Sequence, residues 1–223
     1  MARSKKRAVV EYSAKNFLLS LAGLCLAGLV VWFGYVQFFT KGLEHLPVTM
    51  CENTVERDQV VQVLPQARSA EEASMHQNAG DDFTFYCHVV TSSASSLWGE
   101  TRVRPVSKAD WLESYRGSGG DKRIIRASAD GIEAVAQLDP EDGVAAVYVP
   151  CAPPAVPSSD ASEDYAVITE VSVRTYEDPK ATGTALGQTL TDIAYQLTEH
   201  AYKLAECKES RDFPAKLPRY KDG

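Results

Sequence analysis

The sequence predicts an α+β protein: an N-terminal transmembrane helix followed by a mostly antiparallel sheet with helices packed on one face. Three observations carry that expectation. Residues 17–39 form an uncharged apolar run. Several later segments alternate apolar and polar residues and are joined by short turns. One segment near the C-terminus repeats apolar residues at helical spacing.

The apolar run comes first. "NFLLSLAGLCLAGLVVWFGYVQFF" has no charge, and as a helix residues 17–39 reach roughly 34 Å, enough to cross a hydrocarbon core of about 30 Å. A secretory signal has a shorter apolar region followed by a small-residue cleavage site, and no A-x-A pattern follows this run. Lipidation of Cys25 needs a small residue just before it, and Leu24 stands there. The segment is therefore expected to stay in the bilayer, with Trp32 and Tyr35 toward its outer interface. Arg3, Lys5, Lys6, Arg7 and Lys15 precede it against the single acid Glu11, while the whole chain carries −7. Basic residues stay in the cytoplasm, so the N-terminus is expected inside the cytoplasmic membrane and the C-terminal bulk outside. Gly23 and Ala27 form a small-xxx-small pair, a candidate contact for a weak homodimer through the membrane helix.

Five organising segments follow: a basic tail (1–15), the span (16–40), a tether (41–50), a disulfide-braced extracytoplasmic α+β domain (51–207) and a flexible tail (208–223). Four of the five cysteines, Cys51, Cys87, Cys151 and Cys207, fall after the span. An even number in an oxidising space reads as two disulfides, for which three pairings exist. Cys51–Cys87 with Cys151–Cys207 closes each half separately and is the expected one. A metal site is not expected, because His45, His76, His88 and His200 form no ligand pair with a cysteine or with each other. The acidic balance argues against nucleic acid as a partner.

Along the domain, Asn53-Thr54-Val55-Glu56 has capping-box spacing and predicts a helix over 54–64. Residues 67–82 are polar and small and predict a loop. "DDFTFYCHVVT" alternates, with Phe83, Phe85, Cys87 and Val89 on one face. "LWGETRVRPVS" is its expected partner, and Ser107 caps a short helix, "KADWLESYR". The Gly-rich "RGSGGDKR" follows a helix and precedes a strand, the reverse of a phosphate loop, so a simple turn is expected. "RIIRAS", "GIEAVAQLD" and "VAAVYVPC" are further strands, the last two joined at Pro140-Glu141-Asp142-Gly143. The proline-rich stretch from Pro150 to Asp164 reads as a stiff surface loop. "DYAVITEVSVRTY" is apolar on both faces and predicts a central strand. Residues 184–207 then predict a long helix with Leu186, Leu190, Ile193, Leu197 and Ala201 on its inner stripe and Gln188, Asp192, Gln196, Glu199 and Lys203 opposite.

The layout of "RSKKR", a single Ala-containing span, "MCENTV", "FTFYCHV", "VYVPCAP" and "AYKLAEC" resembles that of uncharacterised single-pass envelope proteins of actinobacteria. The resemblance implies a place in the cell envelope and transfers no activity, cofactor or catalytic residue. No nucleophile motif is present: Gly117-Ser118-Gly119 is not G-x-S-x-G, and S-x-x-K is missing. The expectation is thus a binding or scaffolding module without catalysis, facing an envelope protein or ligand and anchored in lipid by residues 17–39. Two alternatives stand beside it. An envelope hydrolase would need a deep pocket where Asp, Glu, His or Ser converge. An accessory subunit of a membrane complex would use the span itself as its interface.

Overall fold

A computed structural model of the chain describes residues 14–39, 41–78, 80–116, 123–138, 142–154, 164–177 and 179–220. It divides into two units, residues 1–40 and 41–223. The first is helix α1, Ala14–Phe39, within which Phe17–Val36 is long and apolar enough to cross a membrane. Gly23 and Ala27 lie on it one turn apart, and Cys25 is a free thiol.

The second unit is built on a seven-stranded sheet in which every neighbouring pair is antiparallel. A two-residue pair, β1 (Thr49–Met50) and β2 (Val55–Glu56), precedes helix α2 (Arg57–Val63). Then come β3 (Ala70–Gln77), β4 (Thr84–Thr91) and β5 (Ser96–Pro105), a meander. Helix α3 (Lys108–Arg116) carries the chain to the far edge. There β6 (Arg123–Ala129), β7 (Ile132–Leu138), β8 (Asp142–Pro150) and β9 (Tyr165–Arg174) form a second meander that returns to β5. The order is β3-β4-β5-β9-β8-β7-β6, so β9 is the central strand, as its two apolar faces require.

Helix α4 (Gly183–Leu204) lies across the inner face, with Leu190, Ile193, Ala194, Leu197 and Ala201 fully buried. Each such leucine is worth about 1.5–3 kcal/mol once removed from water. Phe85, Val89, Leu97, Val147, Val167 and Val171 meet them from the strands. Gly99 on β5 makes this approach possible: a Cβ there would stand 2.7 Å from Leu197 Cδ1. Thr101, Thr169 and Thr198 are fully buried in this core, and their hydroxyls form a chain of 2.8 Å and 2.7 Å contacts. Thr198 has one hydroxyl proton and lies 2.7 Å from the Ala194 carbonyl, which can only accept. The chain therefore runs from Thr101 through Thr169 and Thr198 to that carbonyl.

The disulfides join Cys51 to Cys87 and Cys151 to Cys207, across 36 and 56 residues. On the chain-entropy account each contributes about 4 kcal/mol. The first pins a left-handed turn, in which Cys51, Glu52 and Asn53 all have φ between 53° and 63°, to β4. The second ties the end of β8 to the residue group just beyond α4.

Several expectations need correction. The 67–82 stretch is not a loop, since Ala70–Gln77 pairs with β4 along its whole length. The first short helix begins at Arg57, not at 54, because Thr49–Met50 claims Val55–Glu56 as a strand partner. The cap moves with it: the Glu56 N–H donates to Gln59 Oε1 at 3.2 Å. The long helix stops at Leu204, and Glu206 turns into the left-handed region before Cys207. Residues 41–50 are not a tether but part of the domain: the Gly42 N–H bonds the Ala67 carbonyl at 2.8 Å, and Leu43 and Leu46 are buried. A Cβ on Gly42 would lie 2.5 Å from the Ser69 backbone nitrogen, so this turn is also packed to the limit.

Nor is the segment after 207 a free tail. Leu217 is buried, Phe213 packs on Tyr195 and Tyr202, and the Tyr195 and Tyr202 hydroxyls bond the Pro214 and Glu209 carbonyls. This strap also covers Gln188, expected on the polar face, which accepts the Tyr220 N–H at 2.9 Å. The helices are also not all on one face: α2 and α4 share the inner face, whereas α3 lies on the outer one, where Trp111 meets Val135, Ala146, Tyr148 and Ala166. The Gly-rich turn at 117–122, the 139–141 turn and residues 155–163 of the proline-rich loop lie outside the described residues.

Candidate functional site

The outer face of the sheet is only partly covered. Alternation along β5 sends Leu97, Gly99, Thr101 and Val103 inward and Ser96, Trp98, Glu100, Arg102 and Arg104 outward. Register places Ser172 of β9 opposite Trp98, Glu170 opposite Glu100, and Ile168 opposite Arg102. Helix α3 covers the β7–β8 side of this face and reaches Ala166, Ile168 and Glu170 of β9, leaving a row of outward side chains, those of β5 and the Ser172 end of β9, partly exposed.

Trp98 is the large aromatic in that row, 45% exposed. His88, its partner on β4, stacks against one face of the indole, with ring centroids 5.2 Å apart and planes 18° apart. Tyr86 leans on it at 6.0 Å and 58°. The opposite indole face borders a hollow of about 300 Å³ with Ser96, Val144, Ser172 and Arg174 around it. The ring is thus braced from the β4 side and bare toward β9.

Further along the same row lies an open groove of about 530 Å³ between β5, β9 and α3. Its wall on α3 is set by Ser107, whose hydroxyl oxygen accepts the Asp110 N–H at 3.1 Å and so caps the helix as expected. Among the described residues three carboxylates line the groove. Glu100 pairs with Arg102, Glu170 accepts the Tyr115 hydroxyl at 3.2 Å, and Asp110 accepts the Ser107 hydroxyl at 2.7 Å. Burial, then the neighbouring Glu170, push the Tyr115 phenol far above its ordinary value, with the Trp111 N–H pulling slightly the other way. That phenol is a fixed donor at any physiological pH. The Trp111 indole N–H is itself buried beside the Tyr115 ring.

A second polar cluster ties the domain together. Glu52 accepts from His200 Nε2 at 3.0 Å and from His76 Nδ1 at 3.2 Å. A carboxylate only accepts, so both facing nitrogens carry their protons. The hydrogen bond from His200, followed by that from His76, holds the Glu52 carboxyl below its ordinary 4.5 despite partial burial. His200 also meets the Phe85 ring edge-on at 5.4 Å. His200 is therefore part of a clamp between α4, β3 and the Cys51 turn. Among the described residues no group of three His, Cys, Asp or Glu is placed to hold a metal ion.

The expected site residues thus separate by role. Cys51, Cys87, Cys151 and Cys207 brace the domain at two points remote from each other in sequence, and Gly23 and Ala27 belong to the separate helical unit. None of them lines the outer row. Trp98 was not singled out by its sequence context, although the signal was present: it is a tryptophan on the polar register of an alternating strand. No protein-family model, curated protein or solved structure matches the chain.

Proposed function

We propose that the chain is a membrane-anchored, extracytoplasmic binding module without catalytic activity. Helix α1 holds it in the cytoplasmic membrane with the N-terminus inside, and the domain of residues 41–223 offers the outer face of its sheet to a component of the cell envelope. The observation that carries this reading is the half-covered sheet face: a core-facing side closed by α4, and an opposite side left open around a braced tryptophan. A tryptophan held in place and left half exposed is the residue type most enriched among the energetic centres of binding interfaces. Two disulfides fit an oxidising compartment beyond the membrane.

The test is site-specific photo-crosslinking of the full chain in its native membrane. A photoreactive residue replacing Trp98 is expected to give covalent adducts, and one replacing Lys203, exposed on α4, is expected to give none. Equal adducts from both positions, or turnover of an envelope substrate by the purified chain, would contradict the reading.

A further inference from the structure

We propose that the open row along β5 and β9 is a glycan-binding site, with the bare face of Trp98 as its stacking platform. The inference rests on the binding-module reading and deepens it by assigning the ligand class.

A pyranose ring has two chemistries. Its faces present C–H groups of slight positive charge, and its rim presents hydroxyls that both donate and accept. A receptor for it needs a flat, electron-rich surface and a border of mixed hydrogen-bonding groups. The indole supplies the first, because the face of an aromatic ring carries negative quadrupole charge. His88 holds that ring upright by stacking on the far side, so the platform is preorganised. The hollow beneath the bare face has small walls, Ser96 and Ser172 among them, which leaves space for a ring instead of filling it.

The border is present on both sides of the platform. Ser96 and Arg174 stand at one end; Glu100, Arg102 and Arg104 continue at the other. These spread donors and acceptors over the nine residues from Ser96 to Arg104 of an extended strand, roughly 27 Å, a linear track suited to a chain of several sugar units. Charges already held in place, such as Glu100 by Arg102, still offer lone pairs and N–H groups toward solvent. The glutamates of this track, Glu100 and Glu170, and its serines, Ser96 and Ser172, belong to residue types depleted at protein interfaces, which weighs for a sugar over a protein partner.

The experiment uses the full chain in detergent micelles. Isothermal titration with cellohexaose, chitohexaose and hexagalacturonate covers neutral, N-acetylated and acidic sugars. At least one is expected to bind. Trp98→Ala is expected to weaken that binding about tenfold, and His88→Ala less, through loss of the brace. Lys203→Ala should leave affinity unchanged. Thermal melting of each variant reports whether it is folded, and Trp98→Phe is expected to recover part of the affinity. Failure of all three sugars to bind, or unchanged affinity in folded Trp98→Ala, overturns the glycan assignment. Protein adducts from position 98 in membranes, without affinity for any of the sugars, would also overturn it while leaving the binding-module reading standing.

Discussion

At the scale of residues, two buried polar groupings decide what the domain tolerates. In the hydroxyl chain Thr169 is the middle member: it accepts from Thr101 and donates to Thr198. Thr169→Val strands the Thr101 proton in a fully buried core, at a cost of about 1–3 kcal/mol. Thr101→Val removes only the first donor and leaves Thr169 still donating, so its cost is expected to be smaller. Urea denaturation of the two variants should rank them in that order. The Glu52 clamp gives a pH signature. Its carboxyl is held below the ordinary value, so the stability it adds is present above 4.5 and is lost as pH falls through the lowered folded value. Glu52→Gln is expected to melt below the parent at neutral pH, with the gap closing in strong acid. A gap independent of pH would show that charge on Glu52 has no part in it.

Residue-level patterns also mark the limits of the sequence. Alternation in "FTFYCHV" placed Phe85, Cys87 and Val89 on the inner face, and burial follows it. The clamp was hidden because Glu52, His76 and His200 come from three distant segments and meet only through the first disulfide and the β3–β4 pairing.

At the scale of elements, β3 shows why an edge strand escapes a reading based on hydrophobicity. "AEEASMHQ" has no apolar face, and only its ladder with β4 makes it a strand. Glu71 and Glu72 in that edge also discourage pairing with another chain. The apolar second face of β9 was legible and required a cover, but nothing in "KADWLESYR" says which side of the sheet it takes. The crossover from β5 to the far edge settles it. The C-terminal strap was illegible for another reason: its anchors, Phe213, Leu217 and Tyr220, are isolated aromatics and aliphatics without periodicity. They matter nonetheless. Phe213→Ala is expected to cost about 1–2 kcal/mol, since it uncovers Tyr195 and Tyr202 together, and a calorimetric melt of the full chain should register a drop of several degrees. Burial pushes the Tyr195 and Tyr220 phenols up to about 12, so the strap's hydroxyl contacts persist through the physiological range.

At the scale of the whole molecule, the apolar helix, the cysteine pairs and the open sheet face support one arrangement. On the proposed reading the helix anchors the chain, the disulfides brace the domain outside the reducing cytosol, and the face binds the partner. Fold class was legible because long periodic segments dominate it. The face was not, because Trp98 becomes conspicuous only when α3 is seen to leave the outward side chains of β5 partly exposed. The central claim is the placement of the cysteine-bearing domain beyond the membrane. Alkylating intact cells with a membrane-impermeant maleimide, then denaturing and alkylating again with a heavier reagent, reads that placement by mass. The account predicts that Cys51, Cys87, Cys151 and Cys207 take up neither label until a reductant is added. Four free thiols, labelled only after lysis and without reductant, would contradict it.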